Sequence, residues 1–303
     1  MSKLTSVIEE IRATLPALTL RENEKLSEHC SFRIGGECAA FAEPTTEEEI
    51  GELCRILRSH GEAPILMGNG TNLLIADGFI DRIVLHLGSG FSAVERRGKT
   101  GLSAQSGVTL YKLAMTAAEY GLTGLEFAHG IPGTLGGAVS MNAGAYGGEM
   151  VQVVRSVRYL SGELDLKETD DLQFSYRHSR FSDTDDVILG AAIELQRGDE
   201  AAIRQQMKTL MEKRRASQPL DMPSAGSTFK RPVGGYAAAL IDQAGLKGFS
   251  IGGAQVSEKH AGFVVNRGGA TCEDVLRLME AVRQRVYADS GIELEAEVKM
   301  IRG

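Results

Sequence analysis

The 303-residue sequence contains no apolar run close to the roughly 18 residues that a membrane-spanning helix requires. Its first residues also lack the continuous apolar segment of a secretory signal peptide, because Glu9, Glu10 and Arg12 interrupt an amphipathic pattern. Forty acidic residues against 33 basic ones give a formal net charge of −7, so nucleic-acid binding has no electrostatic support. We therefore expect a cytoplasmic protein that binds neither a membrane nor a nucleic acid.

Patterns that bind metals or form disulfides are missing as well. The four cysteines show no CxxC spacing, which favours reduced thiols in a reducing compartment. The six histidines show no HxH or HxxxH pairing, so each is better explained as a structural residue than as a metal ligand. We predict no metal site, and the sequence shows no internal repeat, low-complexity tract or coiled-coil heptad.

The length and the order of patterns predict more than one domain, because a chain of this size exceeds a typical single core. Residues 1–27 read as a helical segment that precedes a mixed region of strands and helices over 28–196. That region divides into subdomains at about 28–97 and 98–196. A strongly periodic helix over 199–216 begins the last predicted domain, 197–303.

The densest motif is the glycine-rich stretch from Gly130 to Glu149, which contains seven glycines. Without a Cβ, these positions can adopt positive φ and let a flat or phosphorylated ligand reach the main chain. A tight turn packed against a neighbouring element would explain any two of them. The density of glycine and the apolar residues at its edges, such as Ile131 and Leu135, favour a buried cofactor site.

A second glycine loop, Gly68–Asn72, follows the apolar strand Pro64–Met67. Successive backbone N–H groups in such a turn form a concavity that binds anions. The loop is not a Walker motif, since no Gly-Lys-[Ser/Thr] follows it. It is not a dinucleotide fingerprint either, since Leu73–Ile75 continues as a strand instead of opening a helix. Taken alone, it is a weak sign of a phosphate site.

Three polar segments lie later in the chain. Phe174–Phe181 gathers three cations in an acidic protein, and its arginines either serve a site or neutralise nearby aspartates. Gln218–Pro232 has too many prolines for regular structure, and it presents Ser227 from a turn beside two cations that suit an anion. Ile292–Ile301 alternates acidic and apolar residues, which predicts a closing strand with its glutamates on one face. This spacing does not distinguish Glu297 from the other glutamates.

Five motifs in order resemble the UDP-N-acetylenolpyruvoylglucosamine reductase (MurB) family, over nearly the whole chain from about residue 28. They are Gly68–Leu74, Gly130–Gly148, Ser175–Arg177, Gly226–Pro232 and Leu294–Val298. The first two alone resemble the wider group of FAD-binding domains shared with vanillyl-alcohol oxidase. The resemblance implies an α+β chain: a vanillyl-alcohol-oxidase-type FAD-binding domain in two α+β subdomains, plus a smaller C-terminal α+β substrate domain.

The resemblance also implies an oxidoreductase of peptidoglycan precursor synthesis, and hence a role in cell wall biogenesis, cell shape and cell division. Such an enzyme uses FAD and NADPH to reduce the enolpyruvyl ether of UDP-N-acetylglucosamine to UDP-N-acetylmuramate. Matched by motif, Arg177 is the catalytic arginine, Ser227 the proton donor and Glu297 the catalytic glutamate, the second of Leu-Glu-x-Glu-Val. Tyr176 and Lys230 would contact the substrate. The chain resembles the family's shorter class, and we expect a monomer.

The same comparison of motifs implies non-covalent FAD, because neither glycine motif contains a histidine or cysteine. The residues expected to bind it are Met67, Gly68, Asn69, Gly70, Thr71, Asn72, Leu73, Gly130, Ile131, Pro132, Gly133, Thr134, Gly136, Gly137, Ala138, Asn142, Gly144 and Ala145.

Two alternatives remain open at the level of sequence. A non-catalytic flavin or nucleotide-sugar binding protein would keep the fold, but it would have no need for Arg177, Ser227 and Glu297 together. An FAD-dependent oxidase of the same fold would react with oxygen and often hold its flavin covalently, for which His129 is the nearby candidate. Flavin that stays on the denatured protein would favour the oxidase.

Overall fold

The computed structural model describes residues 4–302, which form the mixture of helices and strands that defines the predicted α+β class. Seven α-helices lie in this range: α1 Thr5–Thr14, α2 Glu47–Ser59, α3 Leu110–Glu119, α4 Leu135–Ser140, α5 Glu200–Ser217, α6 Ala237–Gln243 and α7 Cys272–Ser290. Within these residues, no helix has the length and apolar character that crossing a membrane demands.

Local signals in the sequence account for the ends of the longer helices. Thr46 Oγ1 accepts the backbone N–H of Glu49 at 3.1 Å, so α2 begins with the predicted side-chain cap. Thr271 and Asp274 form a capping box at the start of α7. Gly291, at φ +69°, ends that helix in the left-handed conformation that glycine adopts without strain.

Nineteen strands lie in the described part of the chain: β1 Thr19–Lys25, β2 Glu37–Glu43, β3 Ile65–Met67, β4 Leu73–Ile75, β5 Ile80–His86, β6 Val94–Arg97, β7 Gly101–Gln105, β8 Leu122–Thr123, β9 Gly144–Ala145, β10 Gly148–Glu149, β11 Val154–Leu160, β12 Leu166–Thr169, β13 Val187–Glu194, β14 Gln196–Arg197, β15 Ser224–Ser227, β16 Ser250–Ile251, β17 Ala254–Val256, β18 Phe263–Asn266 and β19 Lys299–Ile301. The predicted helical segment 1–27 therefore also contains a strand, β1.

The strands form three larger sheets and three pairs. The sheet orders are β1-β2-β5-β3, β12-β11-β13-β7-β6 and β15-β18-β17-β16. The pairs are β9-β10, β8-β14 and the parallel pair β4-β19.

The chain divides into two compact units, each made of separate stretches of sequence. The first contains Ala40–Asn69, Arg82–Arg214 and the described residues up to Glu22. The second contains Asn23–Ala39, Gly70–Asp81 and the described residues from Arg215 onward. We predicted continuous domains over 28–196 and 197–303, and those boundaries remain a prediction.

The core of the first unit lies on the five-stranded sheet. Buried side chains of β7, β11 and β13 pack with α3, α4 and the first half of α5, and Val157, Leu113 and Val139 are fully buried there. This packing holds α4, which belongs to the glycine-rich stretch, against β7 and β13.

In the second unit, α7 packs against β16, β17 and α6. The inward positions of α7 predicted from its period, among them Val275, Leu278 and Val282, are fully buried.

Two predictions about the end of the chain were wrong. The closing strand covers only Lys299–Ile301 instead of Ile292–Ile301. Before it, the chain makes a single antiparallel bridge, Ala296 with Phe229, through Lys230 N to Glu295 O and Glu297 N to Thr228 O. The segment Gln218–Pro232 is not wholly irregular, since Ser224–Ser227, between its prolines, pairs as β15 with β18.

Candidate functional site

Within the first unit, the start of the first glycine loop, Gly68 and Asn69, lies beside the segment Gly130–Thr134 of the glycine-rich stretch. The side-chain amide of Asn69 donates to the carbonyl oxygen of Pro132 at 2.8 Å. A Cβ added to Gly68 would overlap Thr134 Oγ1, so only glycine permits this approach of the two loops. The structure thus brings together the predicted cofactor residues at the end of β3 and at the start of α4.

The glycine-rich stretch combines a helix and a hairpin. Gly130–Thr134 leads into α4, which carries Gly136, Gly137 and Ala138. β9 and β10 follow as a hairpin whose turn residues, Tyr146 and Gly147, both have positive φ. Positive φ at both central residues matches the twist of a two-residue hairpin, so the glycines here are explained by turn geometry as well as by ligand access.

Asn142 joins this stretch to the turn that carries Tyr176 and Arg177. Its side-chain amide donates to Glu149 Oε2 and to the carbonyl oxygen of Ser175, each at 3.1 Å, while its Oδ1 accepts from Val151 N at 3.0 Å. Asn142 is buried and holds φ +43°, a conformation that asparagine tolerates better than most residues. Its observed contacts are with protein groups, so its predicted role in FAD binding remains a prediction.

Tyr176 and Arg177 form the tip of a tight turn closed by reciprocal backbone bonds between Ser175 and His178. Arg177 has φ +57°, and its guanidinium lies 5.0 Å from the centre of the Tyr176 ring. Ser179 anchors the turn by donating its hydroxyl to Ser140 O, at the end of α4, at 2.8 Å. The arginine and tyrosine of the motif are therefore presented together from a fixed base.

In the second unit, Ser227 and Glu297 lie on adjoining backbone segments. Glu297 N donates to Thr228 O at 2.9 Å, and Phe229 pairs with Ala296. Ser227 itself is exposed at the end of β15, directly after Gly226 at φ +75°. Ser227 and Glu297, which lie 70 positions apart in the sequence, are thus on neighbouring backbone segments.

Thr228, Lys230 and Asn72 fix this arrangement. The buried Thr228 hydroxyl accepts the backbone N–H of Val264 at 3.0 Å. Lys230 Nζ forms an ion pair with Glu295, the first glutamate of the Leu-Glu-x-Glu-Val motif, and not with the proposed catalytic Glu297. Asn72 donates its side-chain amide to Glu297 O at 3.1 Å, and its own carbonyl oxygen accepts from Lys299 N at 2.9 Å. The later part of the first glycine loop therefore positions Glu297.

The geometry of the glycine motifs fits a flavin nucleotide. Gly68 lies against Thr134 with no side chain of its own, and Ser106, the residue after β7, lies against Gly136 in the same glycine-rich stretch. Ser106 is buried, and its side chain packs against Gly136. Its hydroxyl oxygen has no hydrogen-bond partner among the described residues. A buried hydroxyl without a protein partner beside a glycine surface suits a hydrogen bond to a polar group of a bound nucleotide. Sequence reasoning missed Ser106, since a lone serine after a strand has no distinguishing pattern.

The four cysteines are buried, and none of them forms a disulfide within residues 4–302. Burial raises the pKa of the Cys54 thiol to about 12 and that of Cys272 to about 11. Such thiols are protonated at neutral pH and are poor nucleophiles.

Comparison with known proteins agrees with this geometry. Residues 38–165 match the family model described as FAD binding domain, which confirms the predicted type of flavin-binding fold. Residues 218–301 match the model described as UDP-N-acetylenolpyruvoylglucosamine reductase, C-terminal domain.

Similar curated proteins carry one name. The chain is 47% identical over 283 residues to UDP-N-acetylenolpyruvoylglucosamine reductase of Heliobacterium modesticaldum, covering 92% of this chain and 90% of that protein. It is 43% identical over 297 residues to the enzyme of the same name from Caldanaerobacter subterraneus subsp. tengcongensis, with 97% and 98% coverage.

A solved structure extends the similarity to the fold. The crystal structure of UDP-N-acetylenolpyruvylglucosamine reductase (MurB) from Thermus caldophilus matches with a TM-score of 0.79 at 31% identity, covering 94% of this chain and 99% of that one. Together with the family models and the curated relatives, this shows that the chain belongs to the UDP-N-acetylenolpyruvoylglucosamine reductase family and is an FAD-dependent oxidoreductase.

Proposed function

We propose that the protein reduces the enolpyruvyl ether of UDP-N-acetylglucosamine to UDP-N-acetylmuramate, with NADPH as the reductant, as a cytoplasmic step of peptidoglycan precursor synthesis. The observation that carries the proposal is similarity to reductases of this name over 97% of the chain and 98% of the relative. Arg177, Ser227 and Glu297 stand at the positions where the family's motifs have catalytic residues, so a role as a mere binding protein is disfavoured.

FAD, when bound, would supply the hydride chemistry that links oxidation of NADPH to reduction of the enolpyruvyl group at its terminal carbon. The main-chain surface at Gly68, Asn69 and Thr134, with the Ser106 hydroxyl beside it, would hold the cofactor. No cysteine or histidine lies within either glycine motif, and the nearby cysteines are buried. We therefore propose that the flavin is held non-covalently.

Arg177 is the proposed anchor for the substrate carboxylate. A guanidinium forms two parallel hydrogen bonds with a carboxylate, which fixes the orientation of the enolpyruvyl group as well as its position. The neighbouring Tyr176 ring, whose centre lies 5.0 Å from the guanidinium, attracts the arginine's positive charge through its π face. Negative charge grows on this carboxylate when hydride reaches the terminal carbon, so the same two bonds strengthen as the reaction proceeds.

Ser227 and Glu297 are the proposed groups that complete the reduction. When hydride adds to the terminal carbon, electron density moves to the α-carbon and its carboxylate and forms an enol-like species. Ser227 then donates a proton to the α-carbon. A serine hydroxyl is a weak acid, so its placement and a relay that returns the proton must compensate. A protonated Glu297 would donate a hydrogen bond to the developing oxyanion.

An anaerobic titration tests the whole proposal. The purified holoenzyme is reduced with NADPH until the flavin spectrum bleaches, and enolpyruvyl-UDP-N-acetylglucosamine is then added. Return of the oxidised spectrum with the sugar, and not with buffer, is the expected result. If the reduced flavin does not react with the sugar and its oxidised spectrum returns only in air, the proposal is refuted and an oxidase is indicated. A flavin that remains on the denatured protein would refute the non-covalent assignment.

A further inference from the structure

Arg214 borders the first residue of the glycine-rich stretch. It lies in the last turn of α5, and its aliphatic stem packs over Gly130. A Cβ built on Gly130 would lie 3.3 Å from Arg214 Cδ, 3.4 Å from Met211 Cε and 3.9 Å from Arg214 Nη1. The guanidinium is therefore fixed beside main chain that carries no side chain.

The Arg214 guanidinium has no hydrogen bond and no ion pair in the part of the chain from residue 4 to residue 302. Its burial lowers the pKa of the guanidinium, and the phenol of Tyr146, at the tip of the β9-β10 hairpin, is the one titratable neighbour that acts on it. Several other arginines of the same unit have carboxylate partners, as Arg204 has Glu200 at 2.7 Å and Arg21 has Glu43 at 2.7 Å. A half-buried cation without a counter-ion is stabilised when an anion binds to it.

A second polar atom without a partner adjoins Gly130. His129 Nδ1 is buried and has no hydrogen-bond partner among the described residues. Its ring packs against Tyr111, with the ring centres 5.0 Å apart. Gly130 is thus flanked by two groups capable of donating a hydrogen bond, and neither is satisfied by the protein.

We propose that Arg214 binds a phosphate group of a bound nucleotide beside Gly130. An arginine matches the oxygens of a phosphate with two of its N–H groups, and the missing Cβ at Gly130 lets the arginine stem lie against the main chain there. The nucleotide is either FAD, through its own diphosphate, or the UDP-sugar of the proposed reaction. The second source rests on the proposed function, whereas the first does not.

A helix-end effect is the competing explanation, because a cation in the last turn of a helix interacts favourably with the helix dipole. Arg215 separates the two explanations. It is the next residue of the same turn, is exposed, and carries the same charge. If Arg214 served only to interact with the helix dipole, removing the charge of Arg214 or that of Arg215 would change nucleotide affinity to a similar extent.

The test compares Arg214→Met, Arg214→Lys and Arg215→Met with the unchanged holoenzyme. FAD affinity is measured from the flavin fluorescence that appears on serial dilution, and UDP affinity from calorimetric titration of the holoenzyme. Thermal unfolding of each variant shows whether the fold is intact. Each affinity is measured at several KCl concentrations, since losing a phosphate contact makes binding less sensitive to salt.

We expect Arg214→Met to weaken one of the two nucleotides by about tenfold or more, the loss typical of a charge-assisted hydrogen bond. Arg214→Lys should lose less, and Arg215→Met should stay within about twofold. If Arg214→Met weakens FAD binding, the phosphate bound by Arg214 belongs to the cofactor. If it weakens UDP binding alone, that phosphate belongs to the substrate.

FAD and UDP affinities in Arg214→Met that equal those in Arg215→Met would overturn the proposal. If Arg214→Met fails to fold, Arg214→Lys decides in the same way, and unchanged affinities for both nucleotides overturn it. A protein that binds nucleotide through Arg214 but does not reduce the enolpyruvyl sugar would refute the proposed function and leave this inference standing.

Discussion

Asn142 and Ser175 are joined by a hydrogen bond of 3.1 Å from the asparagine amide to the serine carbonyl oxygen. This bond ties the glycine-rich stretch to the turn that presents Arg177, inside one compact unit. The main chain expected to bind the flavin and the proposed carboxylate anchor are therefore directly connected by a side-chain hydrogen bond.

Replacing Asn142 with alanine should lower the free energy of unfolding by about 1–3 kcal/mol, because Val151 N and Ser175 O lose their partner. Alanine also tolerates φ +43° less well than asparagine. Urea denaturation measures the effect. Gln205→Ala, at an exposed amide of α5, is the control and should change it by less than about 0.5 kcal/mol. Equal changes in both variants would contradict the anchoring role.

Ser227→Ala should retain FAD and its reduction by NADPH, while reoxidation by the enolpyruvyl sugar slows by several orders of magnitude. The reason is that alanine leaves the α-carbon without a positioned proton donor. Anaerobic stopped-flow measurement of the two half-reactions tests this. Ser224→Ala, in the same strand, is the control because its observed bonds to Ser31 use backbone atoms of Ser224. Reoxidation at the normal rate in Ser227→Ala would remove the serine from the mechanism.

Arg177→Lys should weaken the half-reaction with the sugar more than the half-reaction with NADPH. A lysine keeps the charge but cannot form the two parallel bonds to a carboxylate. Steady-state and half-reaction kinetics give the comparison. Arg180→Lys is the matched control, since Arg180 packs on Tyr159 and Phe181 in the same segment. Equal losses in both half-reactions of Arg177→Lys would assign the arginine to the cofactor instead.

Gly68→Ala should weaken FAD binding by at least about tenfold, because the added methyl group overlaps Thr134 Oγ1 and pushes the two glycine loops apart. Fluorescence titration of the flavin measures the change. Gly51→Ala is the matched glycine control: no atom lies within 4 Å of a Cβ there. It should leave FAD affinity unchanged and stabilise α2 by about 0.5–1 kcal/mol. Normal FAD affinity in Gly68→Ala would show that the loops tolerate separation.

His260 should make stability depend on pH in the slightly acidic range. Burial lowers the pKa of His260, whose Nδ1 accepts the backbone N–H of Gly262 at 3.2 Å, and nearby Lys247 acts in the same direction. Because the unfolded chain binds the proton more tightly, this contribution is complete above the unfolded pKa of about 6.5. It is lost as pH falls through that value toward the lower folded pKa.

Denaturation between pH 8 and pH 5 should therefore show a shallower decline in stability for His260→Gln than for the unchanged protein. His60→Gln, at a largely exposed histidine paired with Glu10, serves as the control. The same slope in His260→Gln and in the unchanged protein would contradict the assignment.

Local patterns were sufficient to predict most of the helices. Thr46 capped α2 as expected, and the period of α7 identified its buried face. Short edge strands such as β6 and β12 gave no signal, since four mostly exposed residues carry too little alternation to be distinguished from a loop.

The failure at residues 292–301 has a tertiary cause. Alternation suggested a strand, yet Glu295 and Glu297 bond to the backbone around Lys230, a partner that no local pattern shows. The pairing of Asn69 with Pro132 and of Asn72 with Glu297 was equally inaccessible, because both join residues far apart in sequence. Family resemblance identified the residues of the site, but the contacts that hold them required the structure.

The parallel pairing of β4 with β19 has a consequence for biosynthesis. Asn72 and Glu297 are 225 positions apart, and Leu73 finds its ladder partner only at Lys299. A ribosome that makes the chain from its first residue exposes the loop after Gly70 long before residue 299 emerges. The segment that positions Glu297 therefore cannot form these bonds until residues 297–299 have been translated, so the loop and the proposed catalytic glutamate become ordered together.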